Sequence, residues 1–499
     1  MNVLIPLPVV LPLVGAALSL AAHRRVALQR VLGLVVMTAT VAASALLLSR
    51  VSSEPAAVVV GGWPARIGIA LVADAFAGIM LVVSSAMVLA VLVYAIGNPT
   101  TADNSEFFHP VYLVLAAGVS ASFLTGDLFN LFVAFEITLS ASYVLITLGG
   151  RADQVRSGMT YVVISLLASV LFISAVALIY AATGTVNMAQ LSVRIADLPD
   201  AVRTPLGLLL LVVFGVKAAI FPLFFWLPDS YPTAPSPITA IFAGLLTKVG
   251  VYAIIRTQTL LFPSDGASTL LLFLAGATMV VGVLGAIAQN DIKRILSFHI
   301  ISQIGYMILG LGLFSVAGLA GAIFYIVHHI VVKTALFLVG GLVEHTAGTG
   351  ALRRLSGLVR STPVVGVLFL IPALSLAGLP PFSGFVAKLA LVEAGLDQGE
   401  HVIVGVSLAV SLLTLFSMTK IWAGAFWGGV PSAEGTTAEE DALVRPEAPL
   451  PRMMVGSTAA LVAVSLVIAV AAAPIYDLSR RAAEGLTSSD AYVEVVNGE

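Results

Sequence analysis

The sequence has no cysteine and very little charge. Without a thiolate there is no ligand set for an iron–sulfur cluster, no disulfide and no thiol nucleophile, so any redox chemistry would sit in another chain. Charged residues make up only 10% of the chain, the formal net charge is -2, and no basic run occurs. That removes nucleic acid as a partner and removes a polybasic lipid anchor. Polar stretches long enough for a soluble domain are missing as well. The chain is instead 59% hydrophobic with a mean hydropathy of +1.06, far from globular usage. Stretches of about 20 mainly apolar residues, each enough for one span, recur with short polar breaks from residue 3 to residue 475. The expected fold class is therefore an all-α polytopic membrane protein of the bacterial inner membrane.

The pattern predicts about fourteen spans, at 3–21, 29–49, 74–97, 110–125, 128–148, 159–183, 205–227, 236–257, 267–288, 295–313, 318–343, 362–395, 402–428 and 452–475. The N-terminal MNVLIPLPVV lacks a basic n-region, and His23, Arg24, Arg25 and Arg30 follow the first apolar stretch. An uncleaved first helix entering from outside is expected. Odd-numbered loops hold Arg24, Arg25, Arg30, Arg151, Arg156, Lys293, Arg294, Arg353, Arg354, Arg360, Arg445 and Arg452, against fewer basic residues in the even loops and the tail. The positive-inside rule then makes odd loops cytoplasmic and both termini extracytoplasmic. Residues 56–72 alternate and turn at Gly61-Gly62 like a hairpin, 184–204 read as an amphipathic surface segment, and 432–450 read as an acidic cytoplasmic connection.

Lysine use is the informative departure. Of Lys217, Lys248, Lys293, Lys333, Lys388 and Lys420, all but Lys293 fall inside expected spans, whereas arginine crowds the loops. A lysine within a span costs about 2.5–3.5 kcal/mol on insertion scales unless it snorkels to the interface. Function is the natural offset, and it makes an ion-moving protein the leading reading. Lys217 and Lys248 lie in adjacent helices, as do Lys388 and Lys420 at nearly the same spacing. Helices 4–8 and 9–13 therefore read as two repeats, and an odd number of crossings per unit makes them inverted. The expected divisions are 1–109, 110–257, 258–428 and 429–499. Pro222 and Pro228 after Lys217, and Pro380-Pro381 before Lys388, break apolar helices and free backbone groups that only a protein-lined or watered cavity can satisfy.

Glu136 lies mid-span with Phe132, Ser140 and Tyr143 at helical spacing on its face. A lysine partner would let this carboxylate trade a proton, and Lys217 is the partner expected. The bland alternative is a static ion pair locking two helices. Lys217, Lys248 and Lys388 are expected proton carriers, with snorkelling or a fixed hydrogen bond as the alternative for each alone. His329 and Lys333 form an i, i+4 pair, with His328 beside them, where a proton can cross between the halves. Lys420 is a secondary candidate, either opening the relay to the cytoplasm or snorkelling. His299, close to the membrane edge, reads as structural, and Asp127, Asp229, Glu344 and Glu393 read as capping or solvated groups. No third ligand stands at a metal-binding spacing beside the histidines, and neither metal nor cofactor is expected.

TGDLFNLFVAFE at 125–136, FWLPDSYPTAPSP at 225–237, SFHIISQIGYM at 297–307, HHIVVKTALFLVGG at 328–341 and LAGLPPFSGFVAKLALVE at 376–393 resemble the antiporter-like subunits shared by respiratory complex I and the Mrp cation/proton antiporters. Within that family the motifs are most similar to the D-type Mrp subunits. The resemblance, over roughly residues 70–430, implies two inverted five-helix repeats, discontinuous seventh and twelfth helices, and a polar axis at mid-membrane. It also implies functional roles for Glu136, Lys217, Lys248, the HHIVVK stretch and Lys388. Partners would be the other subunits of an Mrp-type complex, and protons and sodium the transported ions. A complex I subunit of the M type would be expected to have glutamate where Lys388 stands, and the long C-terminal extension of L-type subunits is missing. An N-type, proton-pumping subunit stays open as the main rival. A free-standing transporter of an organic solute and a scaffold whose lysines only lock helices are the others.

Overall fold

An apolar stretch in lipid must satisfy its backbone internally, and the helix is the local way to do so. A computed structural model of the chain, describing residues 2–63, 68–98, 105–263, 267–428 and 449–498, is accordingly almost all helix. Among the described residues, eleven helices are long and apolar enough to cross a membrane, and Leu7–Ala21, Phe108–Leu124 and Pro363–Ala377 are shorter apolar helices. Each expected span overlaps one of these, but those expected at 205–227 and 362–395 run past the helix ends at Ala218 and Ala377 into broken segments. The acidic connection expected at 432–450 lies almost wholly outside the described residues.

The N-terminal helices are α1 (Leu7–Ala21), α2 (Val26–Val51) and α3 (Ala75–Gly97), followed by α4 (Phe108–Leu124), α5 (Leu128–Thr147) and α6 (Ala152–Thr183). Between α2 and α3, Ala56–Val59 (β1) pairs antiparallel with Ala70–Ala73 (β2). The expected hairpin is thus present, with Gly61 and Gly62 at positive φ in the turn after β1. The amphipathic segment becomes α7 (Met188–Ala196), capped by the Asn187 side chain. Next, α8 (Asp200–Ala218) stops at Ala219, a non-glycine residue at φ 58, and helix resumes in α9 (Leu227–Ser230). One helix follows, built from α10 (Ser236–Ile241), a π-helical turn at Phe242–Leu246, and α11 (Thr247–Leu260).

Three further helices are α12 (Ser268–Ala288), α13 (Ile292–Gly312) and α14 (Val316–Ala347). A single turn, α15 (Leu358–Ser361), leads to α16 (Pro363–Ala377) and, after a break, to α17 (Ser383–Asp397). The chain continues through α18 (His401–Ile421), α19 (Arg452–Val470), α20 (Ala472–Thr487) and α21 (Asp490–Asn497). The last two are amphipathic helices where the sequence suggests only an external tail. Their small and apolar face (Ala482, Ala483, Leu486, Tyr492 and Val496) is buried.

Burial sorts the bundle. The apolar stretches of Ser236–Leu260 and α13 are each 94% buried and that of α14 is fully buried, whereas α2 and α6 stand at 33% and 39%. The first group therefore forms the protein interior and the second lies at its periphery. Two hydrogen-bond motifs recur at corresponding positions. Asp127 caps α5 and bridges Asn187; Asp291 caps α13 and bridges Ala351. Each partner lies just past a 32-residue helix, α6 or α14, that ends on a left-handed glycine, Gly184 or Gly348.

Candidate functional site: a buried row of basic groups

In the first half, the break after α8 frees carbonyls, and Trp226 Nε1 donates to that of Val216 at 3.0 Å. Lys217, one residue before the helix end, turns toward α6. Its Nζ donates to the Ser165 carbonyl at 3.1 Å and to the Ser169 hydroxyl at 3.4 Å. Ser169 in turn donates to Glu136 Oε1 on α5. Glu136 and Lys217 therefore meet across a single serine hydroxyl rather than as a direct ion pair. Beside Lys217, a cavity of ≈ 20 Å³ lined by Thr138, Tyr161 and Ser165 has room for one water. Ser169 does not stand out in the sequence; its i, i+4 spacing from Ser165 is the available signal.

Lys248 is fully buried. The π-helical turn before it widens the backbone, and Lys248 Nζ bonds the Ala243 carbonyl at 2.7 Å and the Thr247 hydroxyl at 3.1 Å. Such turns concentrate at functional positions because they expose a backbone group. Lys333 and His329 on α14 lie within electrostatic range of Lys248. Lys333 Nζ and both ring nitrogens of His329 are buried without a protein hydrogen bond. Lys333 stands 5.7 Å from the Phe337 ring centroid, and His329 stacks on Tyr325. A buried polar atom with no protein partner is costly unless water reaches it or it exchanges protons.

In the second half, His328 Nδ1 contacts the Ser383 hydroxyl at 2.8 Å, and Ser383 reaches Ser375 at 3.2 Å across the break between α16 and α17. Lys388, one turn into α17, donates to the carbonyl of Ala377, the last residue of α16, at 3.1 Å. Its ammonium lies 4.8 Å from the Tyr306 ring centroid. Tyr306 stacks on Tyr325, which donates to Gln303 Oε1.

Three placements differ from expectation. His299 is fully buried, bonded to Ser417 at 2.9 Å and within electrostatic range of Lys333 and Lys388, not at the membrane edge. The reason is that α13 starts at Ile292, placing His299 two turns inside a helix surrounded by others. Lys420 donates to the carbonyls of Ile287 and Gln289 at 2.9 and 2.6 Å, which makes it a cap on the end of α12. Glu344, expected to be a capping or solvated group, pairs with Lys293, expected in a loop, at 2.6 Å. Among the described residues no group of histidines and carboxylates could hold a metal ion.

The comparisons agree with this architecture. Residues 125–414 match the family model described as NADH:quinone oxidoreductase/Mrp antiporter, TM. A D-type Na(+)/H(+) antiporter subunit from Alkalihalophilus pseudofirmus is 45% identical, and its counterpart of the same type from Bacillus subtilis is 37% identical, each alignment covering 99% of both chains. Among solved structures, a chain of the Mrp complex from Dietzia sp. superposes with a TM-score of 0.93 at 34% identity, covering 100% of both chains. A chain of the membrane-bound sulfane sulfur reductase, an archaeal respiratory membrane complex, superposes with a TM-score of 0.89 at 26% identity, covering 99% of this chain and 100% of its own. This multi-pass membrane chain belongs to the transmembrane family shared by NADH:quinone oxidoreductases and Mrp antiporters.

Proposed function

We propose that this chain is the proton-translocating subunit of a multisubunit sodium/proton antiporter in a bacterial membrane, a transporter component rather than a catalytic enzyme. The observation that carries the reading is the row of buried basic groups. Lys217, Lys248, Lys333 and Lys388 stand at most 7% exposed, with His329 within electrostatic range of Lys248, His328 within range of Lys388, and Glu136 at one end. A buried amine can give up its proton and take it back as a charge or water approaches, so the row can pass protons by alternation. The D-type antiporter subunits, aligned over nearly their full length, support this role. Sodium exchange belongs to the assembled complex, whose other subunits are the partners.

The two capped-aspartate motifs support an inverted repeat, with 110–257 as one unit and 258–428 as the other between the N-terminal helices (1–109) and the C-terminal segment (429–499). Five crossings separate the motifs, so they fall on opposite membrane faces. The basic residues of the odd loops support both termini lying outside. The rival reading, a proton-pumping subunit of a quinone-reducing or related respiratory complex, fits the family model, which spans both classes, and is supported by the archaeal respiratory neighbour. The higher identity to the antiporter subunits weighs against it.

Everted vesicles carrying the whole complex test the proposal through Glu136→Ala and Lys217→Ala. Each should lose sodium-driven proton exchange while the complex still co-purifies, a check that matters because either change strands a buried partner. Wild-type exchange in both would overturn the reading.

A further inference from the structure

The relay does not use the Lys293–Glu344 ion pair. A cavity of ≈ 720 Å³ opens beside the arginine-bearing loop ahead of α6, with Arg151, Ser236, Lys293, Glu344, His345 and Thr349 among its lining residues. Lys293 Nζ and Glu344 Oε2 lie 2.6 Å apart there, with the Lys293 side chain 6% and the Glu344 side chain 31% exposed. The same Oε2 accepts from Ser236 Oγ at 2.9 Å. A buried ion pair is a poor source of stability, because desolvation offsets most of its attraction. One placed against a polar cavity calls for another explanation.

The position of Glu344 supplies it. Glu344 lies on α14 about three turns beyond Lys333, which returns it to the same face of the helix. Between them stand Phe337, against the Lys333 ammonium, and Gly341. At Gly341 the helix carries no side chain, and the Tyr94 hydroxyl and Ser236 fill the space that a Cβ would need. Tyr94 also donates to the Leu338 carbonyl at 3.0 Å. The hydroxyls of Tyr94 and Ser236 thus stand on the ion-pair side of this face, with the Phe337 ring between them and Lys333.

We propose that this cavity is the aqueous port connecting the arginine-rich face to Lys333, with Glu344 taking protons from cavity water and Lys293 handing them inward. A hydronium ion gives its proton to the Glu344 carboxylate, leaving water and a neutral acid. The Lys293 ammonium, now without its counter-charge, releases a proton toward Lys333 and becomes an amine. The proton on Glu344 then moves to that amine, and the ion pair is restored. The port rests on the relay reading above, and its ligand class is the hydrated proton.

Because the chain has no native cysteine, an introduced thiol is the only one on it. In the assembled complex, Thr349→Cys at the rim and Ser236→Cys at the ion pair are exposed to a charged, membrane-impermeant thiol reagent from each side in turn. Both should react from the same side, and modification at Ser236→Cys should stop proton exchange. Glu344→Gln should lose exchange, and Glu344→Asp should keep part of it. If Ser236→Cys does not assemble, His345→Cys makes the same measurement. Labelling at the rim but not at the ion pair, or wild-type exchange in Glu344→Gln, overturns the port. Either result leaves the effects of Glu136→Ala and Lys217→Ala as they stand, so failure of the port and failure of the relay are distinguishable.

Discussion

The Lys217 ammonium and the Ser169 hydroxyl stand 3.4 Å apart, and that hydroxyl donates to Glu136. Ser169 therefore couples an acid on α5 to an amine on α8 while belonging to neither helix. Ser169→Ala removes the coupling and leaves Lys217 its bond to the Ser165 carbonyl. A hydrogen bond to a charged group contributes about 1.5–3 kcal/mol, so sodium-driven proton exchange should slow by about tenfold or more with assembly unchanged. Ser169→Thr, which keeps the hydroxyl, should retain most of the rate. Equal rates for the alanine variant and the wild type would remove Ser169 from the pathway.

Lysine-to-arginine exchange separates holding a helix from moving a proton. Lys388 bonds the free end of α16 through Ala377, and an arginine there keeps both the charge and a donor. A guanidinium does not give up its proton in a protein, whereas a desolvated amine does. Lys388→Arg should therefore assemble normally and lose exchange, and Lys248→Arg should behave alike. A scaffold role predicts the opposite, with exchange intact wherever assembly is intact. Exchange per assembled complex, quantified on purified protein, decides between them.

Lys420 should answer to stability instead. Its ammonium is engaged by two carbonyls at the end of α12. Lys420→Met leaves those carbonyls without their charged donor and should cost about 1–3 kcal/mol, seen as a lower thermal midpoint of the purified complex. Exchange measured below that midpoint should be close to wild type. Abolished exchange at unchanged thermal stability would return Lys420 to the relay.

Helix existence and the candidate lysines are legible in the sequence because each imposes a large local cost that the sequence must answer: about 20 apolar residues for a span, and several kcal/mol for a charge within it. The breaks at Ala219 and after Ala377 are legible from proline for the same reason. What escapes is tertiary. Ser169 resembles any small residue in an apolar helix until α5 and α8 are seen on either side of it. Lys293 and Glu344 sit near the ends of different helices in sequence, and only the packing of α13 on α14 joins them. His299 looks peripheral when the span is started at residue 295, because hydropathy alone misses the first turn of α13. The C-terminal helices α20 and α21 have readable periodicity, but at their length a surface tail and a docked helix look alike.

Of these helices, α21 is tied to the bundle through Arg256. Asp74 caps α3 through the Ala77 amide and holds Arg256 NH1 at 2.7 Å, with the arginine side chain 6% exposed. The guanidinium is surrounded by the rings of Phe76, Tyr252 and Tyr492 at 5.7, 5.5 and 5.3 Å. Tyr492 belongs to α21, so a single arginine ties α3, α11 and the C-terminal tail together. Arg256→Met strands the Asp74 carboxylate and should cost about 3–5 kcal/mol, lowering the thermal midpoint and opening the chain beyond Thr487 to protease. Adding Asp74→Asn keeps a capping oxygen for α3 and removes the stranded charge, so the double variant should regain much of that loss. Tyr492→Phe retains the ring face and should leave the tail docked. If Arg256→Met alone matched the wild type in both assays, the arginine would not be what anchors the tail, and α21 would be held by its apolar face through Val496 and its contacts with β1.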